Sequence, residues 1–280
     1  MRTRAKLAAV SALTGALALS ALAAPAAQAA DSGTPYTLDV SFSNFKIASA
    51  IKVGTTNEVS AAVTYTLTHG TDVDITADDF FTDAFIYRGS YDAPTNEVYD
   101  DDFSTCTATS STTATCTGSI DIHPADGDLA NADAGTWHAA AEATAFNGQD
   151  PSSSSIDYSK VGYKDQGALA TTLVQRYSKL TVNAGPEPVY KGKTVTSTGK
   201  LSRANWEDGQ YHGYTAQPVK LQFRKAGTTT YTTVKTVTSD STGNVKATAT
   251  AAYDGYWRFS FAGTSTTPAV SATGDYVDVR

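Results

Sequence analysis

From Val59 to Thr68 the chain alternates without a break. Val59, Ala61, Val63, Tyr65 and Leu67 fall on one face, with Ser60, Ala62, Thr64, Thr66 and Thr68 on the other. Successive side chains of a strand point to opposite faces, so this period of two predicts a strand with one buried and one wet face. The same alternation returns in "YTLDVSF", which sets Tyr36, Leu38, Val40 and Phe42 against Thr37, Asp39 and Ser41. It returns again in "CTGSIDIHP", which aligns Cys116, Ile120 and Ile122 toward the core. In "GTWHAAAEATAFNG", Trp137 and four alanines oppose His138, Ala140, Glu142 and Thr144. No segment sustains a helical period of about 3.6 residues, although "ITADDFFTDAF" has room for one short turn. The chain is expected to be all-β.

The second half continues in the same way. Pro186 and Pro188 cannot sit inside a central strand and suit a kink after a first edge strand at Lys179–Asn183. Buried faces then follow at Val195 and Leu201, at Val219, Leu221 and Phe223, and at Trp257, Phe259 and Phe261, with a turn at Asp240–Asn244. About seven short strands over roughly 100 residues describe an antiparallel sandwich. Charge divides the chain at the same place. Residues 31–177 hold 21 acids and 6 bases, and residues 178–280 hold 7 acids and 12 bases. Two antiparallel β-sandwich domains are therefore expected, an acidic one at 30–177 and a mildly basic one at 178–280.

Residues 1–29 read as a secretory signal peptide. Arg2, Arg4 and Lys6 precede an alanine- and leucine-rich run, and Ala27-Gln28-Ala29 supplies a small-x-small cleavage site. No cysteine follows that site and "GDYVDVR" is not a hydrophobic tail, so the mature chain is expected to be extracellular, without lipid attachment or membrane insertion. Its net charge of −10 argues against nucleic acid as a partner. Export permits a disulfide, and the two cysteines, Cys106 and Cys116, flank a hairpin-like stretch of small residues. A structural bridge is expected there. No histidine or further cysteine stands at zinc-ligand spacing.

Residues Lys193–Val279, through "GKTVTSTGKL", "QPVKLQFRKAG", "TVTSDSTGNV" and "GYWRFSFAG", resemble the bacterial immunoglobulin-like modules of secreted and cell-surface proteins. The chain as a whole, most clearly at "SKLTVNAGPEPVYKGKTVTSTGKL", resembles a group of secreted proteins of actinobacteria such as streptomycetes. The first resemblance implies an immunoglobulin-like sandwich. The second implies an extracellular location and leaves activity open.

Candidate chemistry is sparse. Aspartates cluster at Asp100, Asp101 and Asp102 and again at Asp126, Asp128 and Asp133. Calcium takes six to eight oxygen ligands, which such loops supply if they converge; otherwise they are a solvated acidic face. Neither run fits a helix-loop-helix calcium site, and "YDDDFSTC" reads as a solvated bend entering the disulfide hairpin. The stretch "RANWEDGQYHGYTAQ" gathers Trp206, Glu207, Asp208, Tyr211, His212 and Tyr214 into a candidate ligand-binding loop. Its aromatics either stack on sugar rings or fold back over the end of the sandwich. No nucleophile elbow, zinc-protease helix or phosphate-binding glycine loop occurs, so no catalytic residues and no resident cofactor are expected, calcium aside. The expectation is a non-enzymatic binding or structural protein of the cell wall or extracellular matrix. Its partners would be wall polymer, polysaccharide or another secreted protein. Carbohydrate binding through the aromatic loop and calcium-dependent adhesion are the alternatives.

Overall fold

The computed structural model describes residues 33–280; the leader expected at 1–29 lies outside them. In chain order the first strands are β1 (Tyr36–Thr37), β2 (Val40–Lys46), β3 (Ala50–Val53), β4 (Val59–His69) and β5 (Phe80–Ser90). Then come β6 (Ala93–Tyr99), β7 (Thr105–Ala108), β8 (Thr113–Ile122), β9 (Gly135–Ala145) and β10 (Gly162–Arg176). Next are β11 (Ser178–Leu180), β12 (Asn183–Gly185), β13 (Thr194–Asn205), β14 (Gln210–Gly213) and β15 (Pro218–Lys225). The last are β16 (Thr232–Thr238), β17 (Asn244–Thr250), β18 (Gly255–Phe261), β19 (Val270–Ser271) and β20 (Asp275–Val277). The described residues contain short 3-10 turns but no α-helix. The chain is all-β, as its alternation requires.

Two compact units result. One takes residues up to Ser49, Val59–Ile122 and Thr136–Thr172; the other takes Ala50–Glu58, His123–Gly135 and Leu173–Arg280. The second unit thus draws in three segments, Ala50–Glu58, His123–Gly135 and 173–177, from the part of the chain expected to form the first.

The first unit is a sandwich of the sheet β1-β10-β9-β5-β6 and the sheet β2-β4-β8-β7. Strand β4 pairs antiparallel with β8 along its length, placing Ala61 beside Ile120 and Tyr65 beside Cys116. Ala61, Val63, Tyr65 and Leu67 are all buried. Between the sheets, the Tyr65 hydroxyl meets Thr82 Oγ1 at 2.9 Å. That bond satisfies a polar atom that burial would otherwise leave unpaired at a cost of roughly 1–3 kcal/mol. Cys106 of β7 lies directly across from Cys116 of β8, and the two form the expected disulfide.

Two local expectations change. "YTLDVSF" is not one strand: the chain kinks at Leu38 and Asp39, so β1 joins one sheet, in parallel with β10, and β2 joins the other. Tyr36 is consequently exposed. "ITADDFFTDAF" does hold a short turn, closed by the Phe80 N–H donating to the Ala77 carbonyl at 3.0 Å, and then runs into the long strand β5. Strand β9 is covered on both sides, because Ala140 and Thr144, read as outward, are buried as well as Trp137 and Ala139. Aromatic residues of β5 cover that second face, with Phe85 and Tyr87 packing against Ala140.

The second unit contains the sheet β11-β13-β12, joined by β14 and β17, and the sheet β16-β15-β18-β19, joined by β20. Strand β3 pairs in parallel with Leu173–Arg176 of β10. The core is built from the faces the alternation predicts: Val195 and Leu201, Val219 and Leu221, and Trp257, Phe259 and Phe261. At the sheet edge β16 is exposed at every position but Val237, which is half-buried. Lys235 there stands opposite Leu221, on the core-facing side.

Replacing both cysteines by serine should lower the unfolding free energy by about 2–3 kcal/mol, the chain-entropy value for closing so short a loop. Guanidinium unfolding of wild type and double variant measures this. An unchanged midpoint would mean that the β7–β8 ladder alone fixes the hairpin.

Candidate functional site

The loop expected to carry aromatics to a ligand is a tight hairpin. β13 and β14 pair from Ser202 with Gly213 to Asn205 with Gln210, leaving only residues 206–209 as the turn. Trp206 is 4% exposed, and its indole N–H donates to the carbonyl of Gly54 at 2.9 Å. It is not available to stack on a sugar. This corrects the expectation for Trp206: the segment from β3 supplies both an apolar cover and a hydrogen-bond acceptor, which a buried tryptophan needs. The other residues of the group are engaged locally. Glu207 Oε1 accepts the Asn131 N–H at 3.3 Å, and Asp208 Oδ2 and His212 Nε2 lie 2.6 Å apart. Tyr211 lies under the Lys179 ammonium at 3.5 Å, and Tyr214 under the Arg203 guanidinium at 4.0 Å.

The aspartates also serve the backbone. Asp100 is 5% exposed, so "YDDDFSTC" is not a wholly solvated bend. Its carboxylate accepts the Ser119 N–H at 2.8 Å and the Asp102 N–H at 3.0 Å, while Asp121 accepts the Asp101 N–H at 3.0 Å. Burial pushes Asp100 above the ordinary carboxylate range. Asp101 and Asp102 are exposed. In the second unit Asp128 accepts the His123 N–H at 2.6 Å and Asp133 accepts the Ala130 N–H at 2.8 Å, fixing the segment 123–135. Asp126 is exposed beside them.

Two outer sheet faces escaped the sequence reading. In the first unit the face of β5, β9 and β10 turned from the core carries tyrosines and carboxylates. Tyr163 donates to Glu142 Oε2 at 2.9 Å, and Tyr91 donates to Asp165 Oδ2 at 2.8 Å. Phe85 stacks on Tyr99 and Tyr87 on His138. Burial, with the Asp165 and Glu97 carboxylates nearby, pushes Glu142 up to about 7. Glu142 and Asp165 each have a phenol donor aimed at them.

The outer face of β15, β16 and β18 in the second unit is different. These strands contain Lys220, Arg224, Lys225, Lys235 and Arg258 but no Asp or Glu. Their pairing sets Gln222 beside Arg258 and Arg224 beside Tyr256, with Leu221 and Phe259 on the opposite, buried face. Tyr276 of β20 adds to the same side, opposite Tyr256. The Arg224 guanidinium lies 4.0 Å from the Tyr256 ring centroid, and that of Arg258 lies 3.8 Å from the Tyr231 centroid. Tyr231 reaches across the face to Gly274, where a Cβ would collide with its phenol oxygen. Stacking on a ring holds a guanidinium plane at a cost of few of its donors. Arg258 Nε donates to Gln222 Oε1 at 2.8 Å, and Arg224 Nη1 donates to the carbonyl of Thr228 at 2.5 Å. Chemically, this is a rigid, half-exposed array of N–H donors and aromatic rings suited to oxyanions. Its signal was present in the alternation: once Val219, Leu221, Trp257 and Phe259 are inward, "KLQFRK" and "YWRFS" must turn Lys220, Gln222, Arg224, Tyr256 and Arg258 outward.

No family model matches the chain, and no curated protein sequence matches it. Among solved structures it is similar to an amphioxus IgVJ-C2 molecule, at 10% identity and a TM-score of 0.27, over 81% of this chain and 99% of that one. It is similar also to the mouse nectin-like molecule 4 ectodomain (Ig1–Ig3), at 11% identity and a TM-score of 0.24, over 88% of this chain and 65% of that one. A third is AggA, the major subunit of aggregative adherence fimbriae type I from Escherichia coli, at 10% identity and a TM-score of 0.20, over 51% of this chain and 98% of that one. The fold class rests on the strands themselves.

Trp206→Ala should destabilise the chain by about 3–5 kcal/mol, the usual cost of emptying a buried tryptophan site, and thermal unfolding measures it. Glu142 gives a pH signature. The folded chain holds its proton up to about pH 7 while the unfolded chain releases it near 4.5. Stability should therefore fall as pH rises across that window, by on the order of 2 kcal/mol, and level off above it. Glu142→Gln should remove that slope, and an unchanged slope would assign it to another group.

Proposed function

We propose that this chain is an exported, non-enzymatic binding protein of the cell wall or extracellular matrix, built from two immunoglobulin-like sandwiches. The observation that carries this reading is the acid-free outer face of β15, β16 and β18. Charged donors and rings are placed there by the core's own register, on rigid strands, outside the hydrophobic core. A rigid scaffold presenting side chains to solvent is what binding requires. Glu142 and Asp165 on the outer face of the first unit, by contrast, each accept a tyrosine hydroxyl, which suits structure more than recognition. The disulfide supports an oxidising compartment. No helix among the described residues is long and apolar enough to cross a membrane, and the signal-like leader supports export. The resemblance of the sequence to secreted actinobacterial proteins supports their wall as the place of action.

The test is sedimentation of the purified full chain with isolated streptomycete cell walls. The chain should pellet with the walls, leave the supernatant in proportion to the wall added, and release no soluble sugar. A chain that stays in solution, or one that generates new reducing ends, would sink this reading.

A further inference from the structure

Resting on that reading, we propose that the outer face of β15 and β18 is a binding site for acidic polysaccharide. Arg224 and Arg258 would take the carboxylates of uronic acid units, while exposed ring and hydroxyl groups meet the sugar faces between them. The geometry argues for more than a solvated patch. The two guanidinium carbons lie 5.3 and 3.8 Å from the centroid of the same ring, Tyr231, so they are no farther apart than the sum of those distances. Both cations are thus held against one ring, and no carboxylate forms an ion pair with either among the described residues. A ligand bringing two negative charges would meet both.

The chemistry of the face selects the ligand. A guanidinium presents its donors as a planar fork that matches a carboxylate in two-point contact. Each fork donates a hydrogen bond to the protein, Arg224 to Thr228 and Arg258 to Gln222. Tyr276 is 40% exposed beside them, and Ser260 and Ser271 share a hydroxyl bond at 2.9 Å on the same side. Rings and hydroxyls alternating with cations fit a chain of sugar rings bearing carboxylates. A polyol phosphate has no ring face to offer the tyrosines. A polymer contacting both arginines at once gains from effective concentration as well as from each contact.

The experiment is affinity electrophoresis of the full chain through gels containing polygalacturonate, with dextran, polyphosphate and single-stranded DNA as separate arms. Wild type should be retarded by polygalacturonate alone, and retardation should fade as salt rises. The double variant Arg224→Gln/Arg258→Gln should bind at least tenfold more weakly. Lys200→Gln, a charge removed from the other sheet, should leave binding unchanged. Arg224→Lys/Arg258→Lys keeps the charge and loses the fork, so it too should weaken binding; full rescue by lysine would reduce the site to bulk charge and overturn the assignment. Unchanged unfolding midpoints certify that the variants fold. Retardation by polygalacturonate that none of the arginine variants alters would overturn this site while leaving a binding protein. Equal or stronger retardation by polyphosphate or DNA would overturn the ligand class. Failure to bind any of the four, with wall sedimentation intact, would reject this inference alone, whereas failure of both would reject the functional reading beneath it.

Discussion

The pairing of Val219–Lys225 with Gly255–Phe261 governs what the second unit presents to its surroundings. A strand has two faces and a register shift of one residue exchanges them. With Leu221 and Phe259 fully buried, Gln222, Arg224, Tyr256 and Arg258 have nowhere to go but outward. The outer face is therefore not an ornament added to the core. It is the other side of it, and slippage sufficient to lose the face would also bring two arginines into the hydrophobic interior, which ion desolvation forbids.

The two outer faces show how similar residues reach different ends. In the first unit, Tyr163 and Tyr91 donate to Glu142 and Asp165, so negative charge is met by phenol hydrogen and partly withdrawn from water. In the second, tyrosine rings lie against cations. A paired carboxylate in a half-buried cluster gains little from an incoming ligand. A stacked guanidinium retains most of its donors and loses little hydration on binding, because it is weakly hydrated to begin with.

Much of the fold was legible because burial follows a period of two. Val63, Tyr65 and Leu67, and likewise Trp257, Phe259 and Phe261, take the faces that their spacing predicts. The disulfide was legible from two cysteines alone. What could not be read was anything needing a third segment. Trp206 was open to two readings, stacking on a ligand or folding back, because its cover, Gly54, lies far away in the chain, and β9 looked one-sided because its second cover comes from β5. Asp100 looked solvated because Ser119 and Asp121 lie across a hairpin. The Arg224–Arg258 face was half legible: the inward residues were identified and their outward neighbours follow from the same alternation, but the stacking on Tyr231 depends on a turn residue folding over the sheet.

Lys235 has a consequence for solubility. It belongs to an edge strand whose outer N–H and C=O groups are open to water, and it stands on the same side as Leu221. A further strand added to that edge, from another molecule, would extend the core across the ammonium and strip away its water. Inward-pointing lysines discourage such edge-to-edge growth. Concentration is the condition under which open edges polymerise, and this one charged side chain opposes growth of the edge into a fibre.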